Sequence, residues 1–197
     1  VYARRAAGLE KSGAKSKTLP DYLLQAEAEA VIAAAHKLQP SGGFIGMALM
    51  LQWRAGLRIS EAVSLRWQDV DLQLRQLKVV QGKGGKDRVV PLQPELWIQL
   101  QAISKFVNPR DRMVPLSATR VSQCLAIAVS DSAWSMPSLG AKRITTHTFR
   151  RSAAIHWLSN GVPLNQVQRW LGHESIQTTQ IYLDLVADLP GMMDRVP

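Results

Sequence analysis

The chain has 197 residues and a mass of 21.8 kDa, the size of one large domain or of one domain with appendages. Lys and Arg number 24 against 15 Asp and Glu, giving a formal charge of +9 and a pI near 10.1, a balance that favours a polyanionic partner without separating DNA from RNA or anionic lipid. No apolar run approaches the roughly 20 residues of a membrane span, no signal peptide pattern opens the chain, and the single Cys124 leaves neither a disulfide framework nor a Cys-based zinc site, so a soluble, cytoplasmic protein is expected.

The chain opens on Val1, as if in mid-sequence, and Arg4, Arg5, Lys11, Lys15 and Lys17 face a single Glu10 before Thr18. Residues 1–18 read either as a basic arm that lies along phosphates or as a solvated terminus. Pro20-Asp21 opens a helix to about Leu38, with Leu23, Leu24, Ala28, Val31, Ile32 and Ala35 near a 3.6-residue period. Pro40-Ser41-Gly42-Gly43 breaks it, and a very apolar, buried helix follows from about Phe44 to Ala55. After Gly56 a further helical turn begins at Arg58-Ile59-Ser60-Glu61, with Ser60 or a neighbour as its cap.

Strand logic then takes over. Leu77-Lys78-Val79-Val80 and Arg88-Val89-Val90-Pro91 flank the glycine-rich 82–87, which predicts a hairpin, with 69–72 as a short third strand or a turn. Helices resume at about 95–106, 117–129, 148–159, 164–171 and 178–185. Gly161 and Gly172 stand where C-terminal caps belong, and Pro163 suits a helix start. The expected fold is mainly α with one small antiparallel β-sheet, an α+β domain.

Several polar residues stand out against this frame. Arg58 follows a buried helix and a glycine, and reads either as a phosphate-gripping guanidinium or as a surface arginine paired with Glu61. Lys83, in Gly82-Lys83-Gly84-Gly85-Lys86, sits in a solvated turn or in a finger that delivers a proton to a phosphate ester; the order GxxxxGK[ST] is missing, so this is no nucleoside triphosphate loop. Thr145-Thr146 can cap a helix that places His147 in its first turn, where free N–H groups favour an anion, and Arg150 one turn along on the same face. His173 lies at an exposed corner after Leu171-Gly172, while His156, among Ile155, Trp157 and Leu158, reads as structural. Tyr182 is a half-buried packing residue or a nucleophile; a phenol of pKa about 10 needs nearby cations to attack a phosphodiester. Zinc needs three or four convergent ligands, and His147 with His173 lacks both an HExxH pattern and a cysteine, in basic surroundings that oppose a dication. No metal and no cofactor is expected.

The order of these pieces resembles the catalytic domain of the tyrosine recombinases, the phage integrase and Xer-like family. The matching segments are GLRISEAVSL from Gly56, QGKGGKDRVVPL from Gln81, HTFRRSAA from His147 and LGHESIQTTQIYLDL from Leu171, so the resemblance spans about Asp21 to Leu185. It implies a site-specific recombinase or integrase that cuts and rejoins duplex DNA through a 3′-phosphotyrosyl bond, without ATP or metal. In that scheme Arg58 and Arg150 clamp the non-bridging oxygens of the scissile phosphate and His173 is a third contact. His147 orients or helps deprotonate the nucleophile, Lys83 protonates the departing 5′-hydroxyl, Tyr182 forms the covalent link, and Glu61 supports the first arginine. HTFRR stands in place of the frequent histidine–x–leucine–arginine–histidine pattern, a departure at Phe149 and Arg151 that touches no proposed catalytic role.

Candidate DNA-facing residues are Lys86, Arg88, Lys142, Arg143, Arg151 and Arg169, each with surface solvation as the plain alternative. The resemblance further implies a basic arm over 1–18, a catalytic domain over 19–186, and a tail over 187–197 that docks between subunits of a homotetramer on DNA, although an isolated fragment could be monomeric. An N-terminal core-binding domain is expected upstream. Rival readings are a type IB topoisomerase with the same covalent chemistry and a DNA-binding domain that keeps the fold without activity.

Overall fold

A computed structural model describes residues 20–80 and 87–187, the side chains of 184 and 187 excepted. The basic arm, the loop carrying Lys83 and Lys86, and the tail lie outside the described residues. Helix α2 (Gly42–Arg54) is apolar round its whole circumference and is buried at every position from Ile45 to Trp53, as such a helix must be. The other helices are laid around it. Helix α1 (Gln25–Lys37) packs on it through Ala28, Val31, Ile32 and Ala35, and α5 (Ala118–Ala133) covers α1. Helix α6 (Thr146–Ser159) crosses α2 and in turn carries α7 (Leu164–Leu171) and α8 (Gln177–Ala187). Helices α3 (Ile59–Ser64) and α4 (Pro94–Ser104) complete the set.

The expected helix at Pro20 starts only at Gln25, because Asp21–Leu24 is anchored elsewhere. The Leu23 N–H donates to Ser152 Oγ at 2.7 Å, and the Leu24 N–H to Glu27 Oε2 at 2.8 Å, so Leu24 stays extended as the N-cap. Helix α5 runs a turn beyond Val129, α6 begins two residues before Thr148, and short 3-10 turns appear at Trp67–Asp69 and Pro137–Ala141. The third strand does form: β1 (Val70–Asp71), β2 (Gln76–Val79) and β3 (Arg88–Pro91) make an antiparallel sheet in that order. Leu77 faces Val90 and Val79 faces Arg88 across the ladder, with Leu77, Val79 and Val90 turned to the core and Lys78 and Val89 to solvent. Among the described residues no helix is long and apolar enough to cross a membrane.

Two left-handed glycines shape the region that follows. Gly56 (φ 61°) ends the α2 segment against Trp157, whose ring a Cβ there would meet at 2.7 Å. Gly172 (φ 64°) ends α7, its N–H bonded to Arg169 O and the next N–H, from His173, bonded to Gln168 O at 3.2 Å. That pair of bonds is a Schellman end, which glycine enters without the Cβ penalty.

Candidate active site

Glu61 is the centre of the site. It is the third residue of α3, and its carboxylate accepts the N–H of Arg58 at 2.7 Å, so Arg58, not Ser60, is the N-cap, with the acidic residue three positions on. The same carboxylate accepts Arg58 Nη1 at 2.8 Å and lies 3.7 Å from Arg150 Nη1. Its strongest partner is Arg88, which reaches it with both prongs, Nη1 to Oε1 at 2.8 Å and Nη2 to Oε2 at 2.7 Å. Three guanidiniums thus surround one carboxylate, and the cluster keeps a surplus of two positive charges beneath the surface. Burial alone would raise the Glu61 carboxyl, but the hydrogen bonds and charge of Arg88, the Arg58 N–H and the charge of Arg150 hold it down at about 2.

Arg150 is held from the second face. It lies one turn into α6 with its side chain 7% exposed, donating Nη1 to Gly56 O at 2.6 Å and Nη2 to Leu171 O. Both acceptors stand at the glycine ends described above, so the backbone that the glycines bend is the backbone that fixes the arginine. Burial, then the charge of Arg58, pushes Arg150 down to about 9 against the pull of Glu61, which leaves it cationic at neutral pH. Arg58, more exposed, also reaches the Gly172 carbonyl with Nη2 at 3.4 Å.

His173 follows Gly172 directly. Its carbonyl accepts Gln168 Nε2 at 3.1 Å and its Nδ1 lies 2.9 Å from Thr179 Oγ1. With Arg58, Gly172, Glu174, Ser175 and Thr178 it lines a cavity of about 230 Å³. Burial first, then the charges of Arg150, Arg58 and Arg88, push the imidazole down to about 4, so it is neutral at pH 7. Tyr182, half-buried on α8, sets its ring 6.3 Å from that of His173, centre to centre, at 43°, and is near enough to Arg150 for a phenolate to stabilise the guanidinium. His147 sits exposed in the first turn of α6, three residues before Arg150, and makes no hydrogen bond or ion pair among the described residues. Arg58, Glu61, Arg150, His173 and Tyr182 are therefore gathered at one place, with His147 on the helix that carries Arg150. Lys83 lies outside the described residues.

The expected DNA-facing set divides. Arg143 and Arg169 are exposed, and Lys86 lies outside the described residues. Arg151 is half-buried and donates to Asp21 O at 2.6 Å. Lys142 pairs with the buried Glu27, whose carboxyl burial would raise but the hydrogen bonds of Lys142 and Ser138 lower. Arg88 departs furthest from expectation: its side chain is 7% exposed, and Nε is also occupied, donating to Trp170 O at 2.7 Å. The alternation of β3 explains this, since Val90 points to the core and residue 88 shares its face. That period-two signal was present in the sequence; the partner across the core was not. Thr179, fully buried against His173, had no sequence signal at all. Among the described residues no group of three or more His, Cys, Asp or Glu side chains is placed to hold a metal ion.

The model of the phage integrase family matches residues 21–188, and the chain belongs to that family. Among its relatives, tyrosine recombinase XerA of Pyrococcus horikoshii is 31% identical over 183 residues, covering 84% of this chain and 57% of its own length. Tyrosine recombinase XerD of Xanthomonas axonopodis pv. citri is 35% identical over 180 residues, with coverages of 84% and 59%. The chain thus spans less than two thirds of the length of these relatives. Among solved structures it resembles XerA recombinase, at a TM-score of 0.69 and 25% identity over 91% of this chain and 67% of that one. The catalytic domain of bacteriophage HP1 integrase matches at a TM-score of 0.63 and 22% identity, over 90% of this chain and 96% of that one. The XerH site-specific recombinase, solved on its palindromic difH substrate after cleavage, matches at 0.65 and 21%, over 91% and 54%. The mainly α fold with its small antiparallel sheet is that of these catalytic domains.

Proposed function

We propose that the protein is a site-specific DNA recombinase that cuts and rejoins duplex strands through a covalent bond from Tyr182 to a 3′-phosphate. The observation that carries this reading is the Glu61 cluster: three arginines around one carboxylate hold two surplus positive charges beside His173 and Tyr182. A scissile phosphate brings compensating charge to that place, and preorganised cations are the main means of stabilising the extra charge of a phosphoryl transition state.

In this scheme the Tyr182 oxygen attacks phosphorus, the bond from phosphorus to the 5′-oxygen breaks, and the strand stays attached to the protein as a phosphodiester. Arg58 and Arg150 hold the non-bridging oxygens and His173 donates a third hydrogen bond. His147 orients the phenol and takes its proton, and Lys83 gives a proton to the leaving 5′-oxygen. The energy of the broken ester is kept in the new one, so a 5′-hydroxyl from a partner strand reverses the reaction with no ATP, no metal and no cofactor. Duplex DNA with specific sites is the substrate, and Arg143, Arg151, Arg169, Lys142 and Lys86 are the candidate backbone contacts. Similarity to proteins solved on their DNA substrates supports this. The working form is a cytoplasmic homotetramer on DNA.

The test is incubation with a duplex nicked beside a cognate site, so that the short 5′-product diffuses away and the covalent complex accumulates. A denaturation-resistant adduct on Tyr182 is expected. Duplex binding without any adduct would leave a non-catalytic binding domain, and relaxation of supercoiled DNA without strand exchange would point to topoisomerase chemistry.

A further inference from the structure

His173 is neutral in the protein at rest, so which of its two nitrogens carries the proton decides what it can offer. Its Nδ1 lies 2.9 Å from Thr179 Oγ1. Thr179 is fully buried, and its hydroxyl makes no other hydrogen bond among the described residues. A hydroxyl brings one proton and two lone pairs, and a neutral imidazole brings one N–H and one lone pair. Were the proton on Nδ1, the imidazole would donate to Oγ1 and the hydroxyl proton would be left in the interior without an acceptor, at its full desolvation cost. With the proton on Nε2, the hydroxyl donates to Nδ1 and the buried hydroxyl proton has its acceptor.

We infer that Thr179 is a positioning residue that fixes His173 as the tautomer protonated on Nε2, the nitrogen not bonded to Thr179. The inference rests on the proposed contact of His173 with the scissile phosphate and says how that contact is prepared. The surrounding backbone is arranged to the same end. The Schellman end of α7 and the bond from Gln168 Nε2 to the His173 carbonyl hold the main chain, and Thr179 holds the ring from the next helix. The groups facing the imidazole are Arg58 at the cavity wall, Arg150 and Arg88 behind it, Glu61 between them and the Tyr182 ring. A second proton on the ring is opposed first by burial and then by the three guanidiniums, with Glu61 alone in its favour; the shift of His173 to about 4 agrees with this. A neutral donor therefore reaches the phosphate without adding a fourth positive charge to the site. The logic is that of a metal-bound histidine, whose second nitrogen is tied to an outer partner so that the first points correctly.

The full chain, labelled with 15N in its histidines, provides the direct test. At pH 7 the His173 ring should show a protonated Nε2 and an unprotonated, hydrogen-bonded Nδ1. Thr179→Val, close in shape but without the hydroxyl, should give a mixture of tautomers, and Thr179→Ser should restore the wild-type pattern. In single-turnover adduct formation on the nicked duplex, Thr179→Val should be slower by about 10- to 100-fold, the range for loss of an outer-shell partner. Thr179→Ser should recover most of that rate, and Thr179→Val should add little in a His173→Ala background. A wild-type His173 protonated on Nδ1 would overturn the inference, and this result does not depend on any variant folding. So would a Val variant with unchanged tautomer and rate. An Nε2–H tautomer combined with a His173→Ala protein that cleaves at full rate would remove His173 from the reaction, and with it the role of Thr179, while leaving the hydrogen bond itself intact.

Discussion

Arg88 and Glu61 form a two-pronged ion pair, 2.8 and 2.7 Å, between side chains that are each 7% exposed. The planar fork of the guanidinium matches the carboxylate in a way a lysine could not. The third donor, Nε, goes to Trp170 O, so α3, β3 and the end of α7 are joined through one side chain. The Arg88 stem also lies over Gly172, where a Cβ would meet its Cδ at 3.0 Å. The strand that follows residues 81–86 is thereby pinned to the arginine cluster, and Arg88 is left with little to offer DNA.

Arg88→Met should therefore act on stability. Removing one partner of a buried pair costs about 3–5 kcal/mol when the other charge is stranded. Arg58 and Arg150 still face Glu61 here, so a loss near the low end, about 3 kcal/mol, is expected from urea unfolding. Arg143→Met, at an exposed position, should change stability by less than about 0.5 kcal/mol. In duplex binding the slope of affinity against salt should stay the same for Arg88→Met and fall by about one contact for Arg169→Met. A reduced slope for Arg88→Met would return it to the DNA-facing set.

Acid should weaken the fold in two overlapping windows. His173 is held at about 4 in the folded state, below its ordinary 6.5, so the unfolded chain takes up its proton first and stability falls as pH drops from about 6.5 to 4. Glu61 is held at about 2, below its ordinary 4.5. Its contribution, on the order of 3 kcal/mol, is present above pH 4.5 and is lost as pH falls toward 2. Urea unfolding across this range should show His173→Gln flattening the upper window and Glu61→Gln the lower one. Duplex DNA should shrink the upper window, because a bound phosphate favours the imidazolium.

Tyr182→Phe should abolish the covalent adduct while leaving duplex binding within a small factor. The half-buried ring and its place beside His173 survive, and only the oxygen proposed to form the ester is lost. Adduct that persists in this variant, mapped by peptide mass analysis to another residue, would sink the assignment.

Arg150→Ala should harm the chemical step more than binding. Loss of one transition-state donor costs about 3 kcal/mol or more, and other basic residues still hold the duplex. Lys83→Ala should differ in kind: replacing the bridging 5′-oxygen by sulfur should recover much of its rate, because a thiolate leaves without a general acid. Arg150→Ala should show no such rescue, since its proposed partners are the non-bridging oxygens. Equal rescue of both variants in single-turnover cleavage would take the acid role away from Lys83.

The sequence by itself determined the helices with clear periods, the hairpin around its glycine-rich turn, and the four motifs that carry Arg58, Lys83, His147, Arg150, His173 and Tyr182. Each of these is local, a matter of 3.6- or two-residue repeats, caps and short spacings, and local signals survive without the fold. The charge of Arg88 suggested a DNA-facing surface position, whereas the alternation of β3 sets it on the inward face with Val90. Only the tertiary structure decided what the inward residues meet. Glu61 faces Arg88 across 27 positions, and Arg150 reaches carbonyls 94 positions before it and 21 after it. Such pairings follow from how α2, α6 and α7 stack. The burial they create is what preorganises one carboxylate and three ordinary arginines at the place proposed to hold a phosphate.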